Sequence, residues 1–225
     1  MKMKLKTKIA LDVGMTLLFL LQMAYHLIGD SLHGWLGMSL FVLLILHNIG
    51  DWKWYAGLRK GKYTAVRVFH TIINILLLLV CLGMMLSAAM LSSTASALLH
   101  LNAVMLGRKL HMVFTSWGFV LMSAHVGLHW SMVVGAAKKR VKNPQRWLLI
   151  ASRLAALLLS VYGLYTFIVR GMTQRMFLQI NYMFFNYEES LFAVLFDYVS
   201  ILCLFTCLAH YIAKVIRVDI EKRKK

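Results

Sequence analysis

Residues Val66 to Leu91 read VRVFHTIINILLLLVCLGMMLSAAML, and this run decides what kind of protein the chain can be. Past Arg67 it holds no charged residue, and an α-helix needs only about 20 residues to cross a hydrocarbon layer roughly 30 Å thick. Comparable apolar runs lie at about Ile9–Ile28, Leu32–Ile49, Leu110–Val134, Trp147–Val169 and Leu191–Val215. With 60% hydrophobic and 15% charged residues over 225 positions, the composition excludes a soluble enzyme. The expected fold is an all-α integral membrane protein of six transmembrane helices. The first run is nearly a full span and ends Tyr25-His26-Leu27-Ile28-Gly29 without a small-x-small pattern, so it is expected to persist as a helix rather than be cleaved.

The net charge of +17 does not point to nucleic acid, because the cations fall in short clusters between apolar runs. Lys2, Lys4, Lys6 and Lys8 precede the first run; Lys53, Arg59, Lys60, Lys62 and Arg67 follow the second. Lys138, Lys139, Arg140, Lys142 and Arg146 follow the fourth, and the sixth ends in Lys214, Arg217, Lys222, Arg223, Lys224 and Lys225. The other side carries only Arg108, Lys109, Arg170 and Arg175. Positive charge is retained on the cytoplasmic face, so both termini are expected there. Cys81, Cys203 and Cys207 sit inside apolar runs, and no CxxCH motif for covalent heme occurs.

Histidine is the residue that asks for a chemical explanation, since a polar ring in a span faces the bundle interior, water or a cofactor. His33 and His47 are 14 residues apart on the second run, and His111 and His125 are 14 apart on the fourth. Fourteen residues turn a helix through about 1400°, roughly 40° short of four turns, and advance it about 21 Å. Each pair therefore shares a face and offers one imidazole toward each side of the membrane. Both runs descend from outside to inside, which matches His33 with His111 and His47 with His125. Two lateral imidazoles suit the axial positions of a heme iron, whereas zinc asks for three or four converging ligands. The segments also repeat at an offset of 78, His33, His47 and Trp52 aligning with His111, His125 and Trp130, while Asp51 stands where the repeat has His129. Gly37 and Gly118 are places where a porphyrin face could approach the backbone.

Alternatives stay open at the inner level. His129, one turn past His125, is a candidate ligand, a propionate or quinone contact, or an anchor at the helix end; His70 is a second candidate substitute. Arg67 and Arg108 are candidate propionate partners or plain topology anchors. His26, His100 and His210 are expected to be interfacial.

His33-Gly34-Trp35-Leu36-Gly37 followed by His47 and Asp51-Trp52-Lys53-Trp54, together with Leu110-His111, Trp117-Gly118-Phe119 and His125-Val126-Gly127-Leu128-His129-Trp130, resemble the flavinylation-associated cytochrome domain, a bacterial group similar to the cytochrome b and ferric-reductase-like heme bundles. The resemblance covers about residues 8–133. It implies a four-helix heme-binding membrane domain over residues 1–134 in the inner membrane of a bacterium; residues 135–225, outside the resemblance, are expected to add a basic cytoplasmic loop, a two-helix membrane hairpin and a basic tail. It also implies His33, His47, His111 and His125 as ligands of two b-type hemes, and an extracytosolic flavinylated protein as redox partner. The expected function is transmembrane electron transfer, from a quinol or cytoplasmic-side donor, by a subunit of an oxidoreductase system rather than a stand-alone catalyst. The competing expectations are a histidine-lined metal or proton transporter and a cofactor-free assembly factor.

Overall fold

The computed structural model describes residues 5–92, 103–140, 145–180 and 184–222. The expectations for His100, Lys142 and the outermost terminal lysines fall outside them. The described helices are α1 (Leu5–Gln22), α2 (Tyr25–Gly50), α3 (Trp52–Gly57), α4 (Ala65–Leu91), α5 (Val104–Arg140), α6 (Arg146–Val169), α7 (Met172–Met176) and α8 (Leu191–Lys222), with no strand among the described residues.

Five helices are long and apolar enough to cross a membrane: α2, α4, α5, α6 and α8. Their outward faces bear this out, since Ile150, Leu157, Leu158, Val161 and Ile168 of α6 are each at least 60% exposed, a stripe that lipid tolerates and water does not. The first expected run is divided differently. α1 stops at Gln22, a turn at Met23–Ala24 follows, and α2 is bent at Gly29, whose φ of 78° and ψ of 164° belong to a region that only glycine occupies cheaply. α1, 18 residues long and carrying Lys6, Lys8 and Asp12, is not among those five.

The chain divides into two compact units, Met1–Tyr63 with Phe184–Tyr198, and Thr64–Met183 with Val199–Lys225. In the first, α1 and α2 form an antiparallel hairpin. Asp12 meets His47 near one end, and Gln22 meets His33 near the other. In the second, α4 is capped at its start by Thr64, whose hydroxyl accepts the Arg67 backbone N–H, and packs antiparallel along α5. Phe114 lies over Gly83, where a Cβ would stand 2.6 Å from the ring.

α8 closes on α5 and α6 through small residues. A Cβ at Gly127 would stand 2.3 Å from the Thr206 carbonyl oxygen, and one at Gly163 would stand 2.1 Å from that of Ser200. Helices that associate in lipid gain mainly from such close backbone approach, because lipid tails are as apolar as leucine. The buried hydroxyls in this core are satisfied locally: Ser116 donates to Met112 O at 2.8 Å, Ser123 to Phe119 O at 2.7 Å, and Ser160 to Ala156 O at 2.7 Å. Thr206 crosses instead to Ser123 O at 3.0 Å. Cys81, Cys203 and Cys207 are free thiols. Arg175, expected as an outer topology charge, is 95% buried in this unit, donating to Arg170 O at 3.0 Å and to the Met172 sulfur.

Candidate functional site

The helix bearing His33 and His47 runs unbroken from Asp30 to Gly50, and the one bearing His111 and His125 is continuous from Val104 to Arg140. The 14-residue spacings therefore translate into shared faces as regular helix geometry requires. His33 and His47 belong to the first unit; His111, His125, His129, His70, Arg67 and Arg108 belong to the second.

Three of the four ring systems are held at Nδ1 by a side chain from the preceding long helix. His47 Nδ1 lies 2.8 Å from Asp12 Oδ1, His125 Nδ1 lies 2.8 Å from Asn74 Oδ1, and His111 Nδ1 lies 3.2 Å from Ser87 Oγ. The tautomer follows from the partners. A carboxylate oxygen and an amide carbonyl oxygen only accept, and the Ser87 hydroxyl already donates its proton to Met84 O at 2.8 Å. In each case Nδ1–H is the donor, so a neutral imidazole carries its lone pair on Nε2. His47 Nε2 stands 4.0 Å from Asp51 Oδ2, beyond hydrogen-bonding range. On the paired helices α4 and α5 the two contacts recur in register, Ser87 with His111 and Asn74 with His125, as an antiparallel pair with matched residues would place them.

His33 is held differently. Gln22, buried on α1, donates through Nε2 to the His33 carbonyl at 3.1 Å, and the Tyr25 ring meets the imidazole edge-on at 5.0 Å between centroids. Gly37 does not leave its backbone open to a porphyrin, because a Cβ there would stand 2.9 Å from Gln22 Nε2: the amide occupies that space. Gln22 Oε1 is buried with no hydrogen-bond partner among the described residues. Gly118 is buried in the second unit. His26 stacks on Phe185, with ring centroids 4.7 Å apart and planes 13° from parallel.

At the other end of the second unit the histidines gather. His125 and His129 rings are 4.8 Å apart and His129 and His70 are 6.3 Å apart, both edge-to-face. The buried His70 Nε2 has no hydrogen-bond partner among the described residues. No group of three or more His, Cys, Asp or Glu among the described residues is arranged to hold a metal ion. Arg67 stands one turn before His70, and Arg108 is exposed one turn before His111.

The end of the first hairpin is charged: Lys8 pairs with Asp51 beside the Asp12–His47 contact. Tyr55 of α3 donates to Asn48 Oδ1, and burial together with Asp51 pushes the phenol above its ordinary pKa, keeping the proton in place for that bond.

Asn74, Ser87, Gln22 and Asp12 are not legible as site residues from the sequence alone. The available signal was their cost: each is polar in a lipid-facing stretch, and such residues turn inward to a partner. No protein-family model, curated protein or solved structure matches this chain.

Proposed function

We propose that this chain is a six-span diheme b-type cytochrome of a bacterial inner membrane, with both termini cytoplasmic. In this reading α1 serves as a span despite its charges, with the half-exposed Asp12 carboxylate held against His47. The observation that carries the reading is the Nδ1 engagement of His47, His111 and His125, which leaves the lone pair of a neutral ring on Nε2, the tautomer in which protein-bound imidazoles meet a metal. Together with the matched 14-residue spacings, the donor chemistry fits axial imidazoles. His33 with His111 and His47 with His125 would hold one iron each, a pairing that rests on the sequence repeat.

When bound, heme supplies one-electron carriage between ferrous and ferric iron. The chain's own residues orient the imidazoles and fix their tautomers. His70 and His129 stand beside His125, where they would line the inner level or replace a ligand, while Arg67 and Arg108 would face propionates. Donor and acceptor are proposed by class: a quinol or cytoplasmic-side reductant, and an extracytosolic flavinylated protein.

A second reading, a proton or metal transporter, draws on the cluster of Lys8, Asp12, His47 and Asp51. One purification separates the two. Protein extracted in detergent from heme-competent cells should be red, with a Soret band and a sharp reduced α-band that acid–acetone removes. Folded but colourless protein would favour transport.

A further inference from the structure

The three Nδ1 acceptors differ in charge, although they hold chemically identical rings. Asp12 offers a carboxylate, Asn74 a neutral amide and Ser87 a neutral hydroxyl. Lys8 is engaged by Asp51, and Asp12 makes its side-chain contact with His47. A carboxylate draws the Nδ1 proton harder than a neutral oxygen does, which leaves more electron density on Nε2 and makes that imidazole a stronger donor. A stronger donor favours the ferric over the ferrous state of any iron it binds. We propose that Asp12 is a positioning residue for His47 whose charge makes the His47 centre the harder of the two to reduce, while Asn74 and Ser87 position His125 and His111 without adding charge. This rests on the heme reading above.

The geometry limits the role to positioning, since Asp12 touches the imidazole and not the iron-facing nitrogen. The asymmetry is built into the hairpins: the two helices that supply partners, α1 and α4, present different chemistries to rings related by the 78-residue repeat.

Equilibrium redox titration of the purified, full-length protein, followed at the reduced α-band, tests the proposal in wild type, Asp12→Asn, Asp12→Ala and Asn74→Asp. In wild type two components are expected, the lower being the one that His47→Ala removes. Asp12→Asn keeps a hydrogen-bonding group of the same size, so heme content should hold while that component shifts upward by about tenfold in its reduced-to-oxidised ratio at fixed potential, ~59 mV for one electron. Asn74→Asp should move the component that His125→Ala removes in the opposite direction. If Asp12→Ala fails to fold, the Asn and Asp substitutions still decide the matter. Two hemes whose midpoints ignore both substitutions would overturn the positioning role and leave the heme reading standing. Wild-type protein without heme would overturn both.

Discussion

Asn74 Oδ1 lies 2.8 Å from His125 Nδ1, joining the middle of α4 to the middle of α5 by a hydrogen bond between two polar side chains in otherwise apolar helices. An unpaired amide or imidazole in hydrocarbon costs several kcal/mol, so each of these residues accounts for the other. Replacing Asn74 by leucine should leave the ring without its orienting acceptor. Heme retention at that level is expected to weaken by about 10- to 100-fold, the usual effect of removing such a partner, while the other heme is kept. Heme-to-protein ratio and the rate of loss to an excess of an apo-globin scavenger measure it.

The close crossings at α8 set a second expectation. Gly163→Ala places a methyl group 2.1 Å from Ser200 O, a backbone atom that cannot swing aside, so α6 and α8 must separate. The cost should reach or exceed the roughly 1–3 kcal/mol typical of overpacking. Gly14→Ala, with nothing within 4 Å of its added Cβ, is the control and should be neutral. Thermal unfolding in a fixed detergent reads both.

Gly29 predicts a backbone effect of a different origin. Its φ of 78° with ψ of 164° is strained for any L side chain, so Gly29→Val should destabilise the first hairpin by about 1–3 kcal/mol even though no atom lies within 4 Å of the added Cβ. Limited proteolysis near the α1–α2 turn should accelerate in the variant, with the second unit unchanged.

Topology is testable without the cofactor. In a cysteine-free background, Gln179→Cys should react with an impermeant maleimide added outside intact cells, and Lys60→Cys should react only after lysis. A reporter fused after Lys225 should be active in the cytoplasm. The reverse pattern would contradict the orientation drawn from the basic clusters.

The long helices were legible because a span needs little more than length and apolarity, and runs such as Val66–Leu91 supply both. The first hairpin was harder. Hydropathy carried the first run through Met23 and Ala24 to Ile28, while the chain turns at those residues and bends again at Gly29, a decision made by backbone conformation that hydrophobicity does not encode. The histidine faces could be read from periodicity alone, and the helices that carry them are continuous. Their partners could not: Asp12, Ser87 and Asn74 become meaningful only when α1 packs against α2 and α4 against α5, because a polar residue's role in a membrane depends on which neighbour it meets. Gly37 shows the opposite error, since spacing suggested an opening that the Gln22 side chain fills.

The most direct test is the heme-to-protein ratio of purified wild type beside the alanine variants of His33, His47, His111 and His125, each with its reduced-minus-oxidised spectrum. Two hemes per chain are expected in wild type and one in each variant. His33→Ala and His111→Ala should share one residual spectrum, and His47→Ala and His125→Ala the other. A folded wild type without heme, or four variants that all retain two, would contradict the assignment of these histidines to iron.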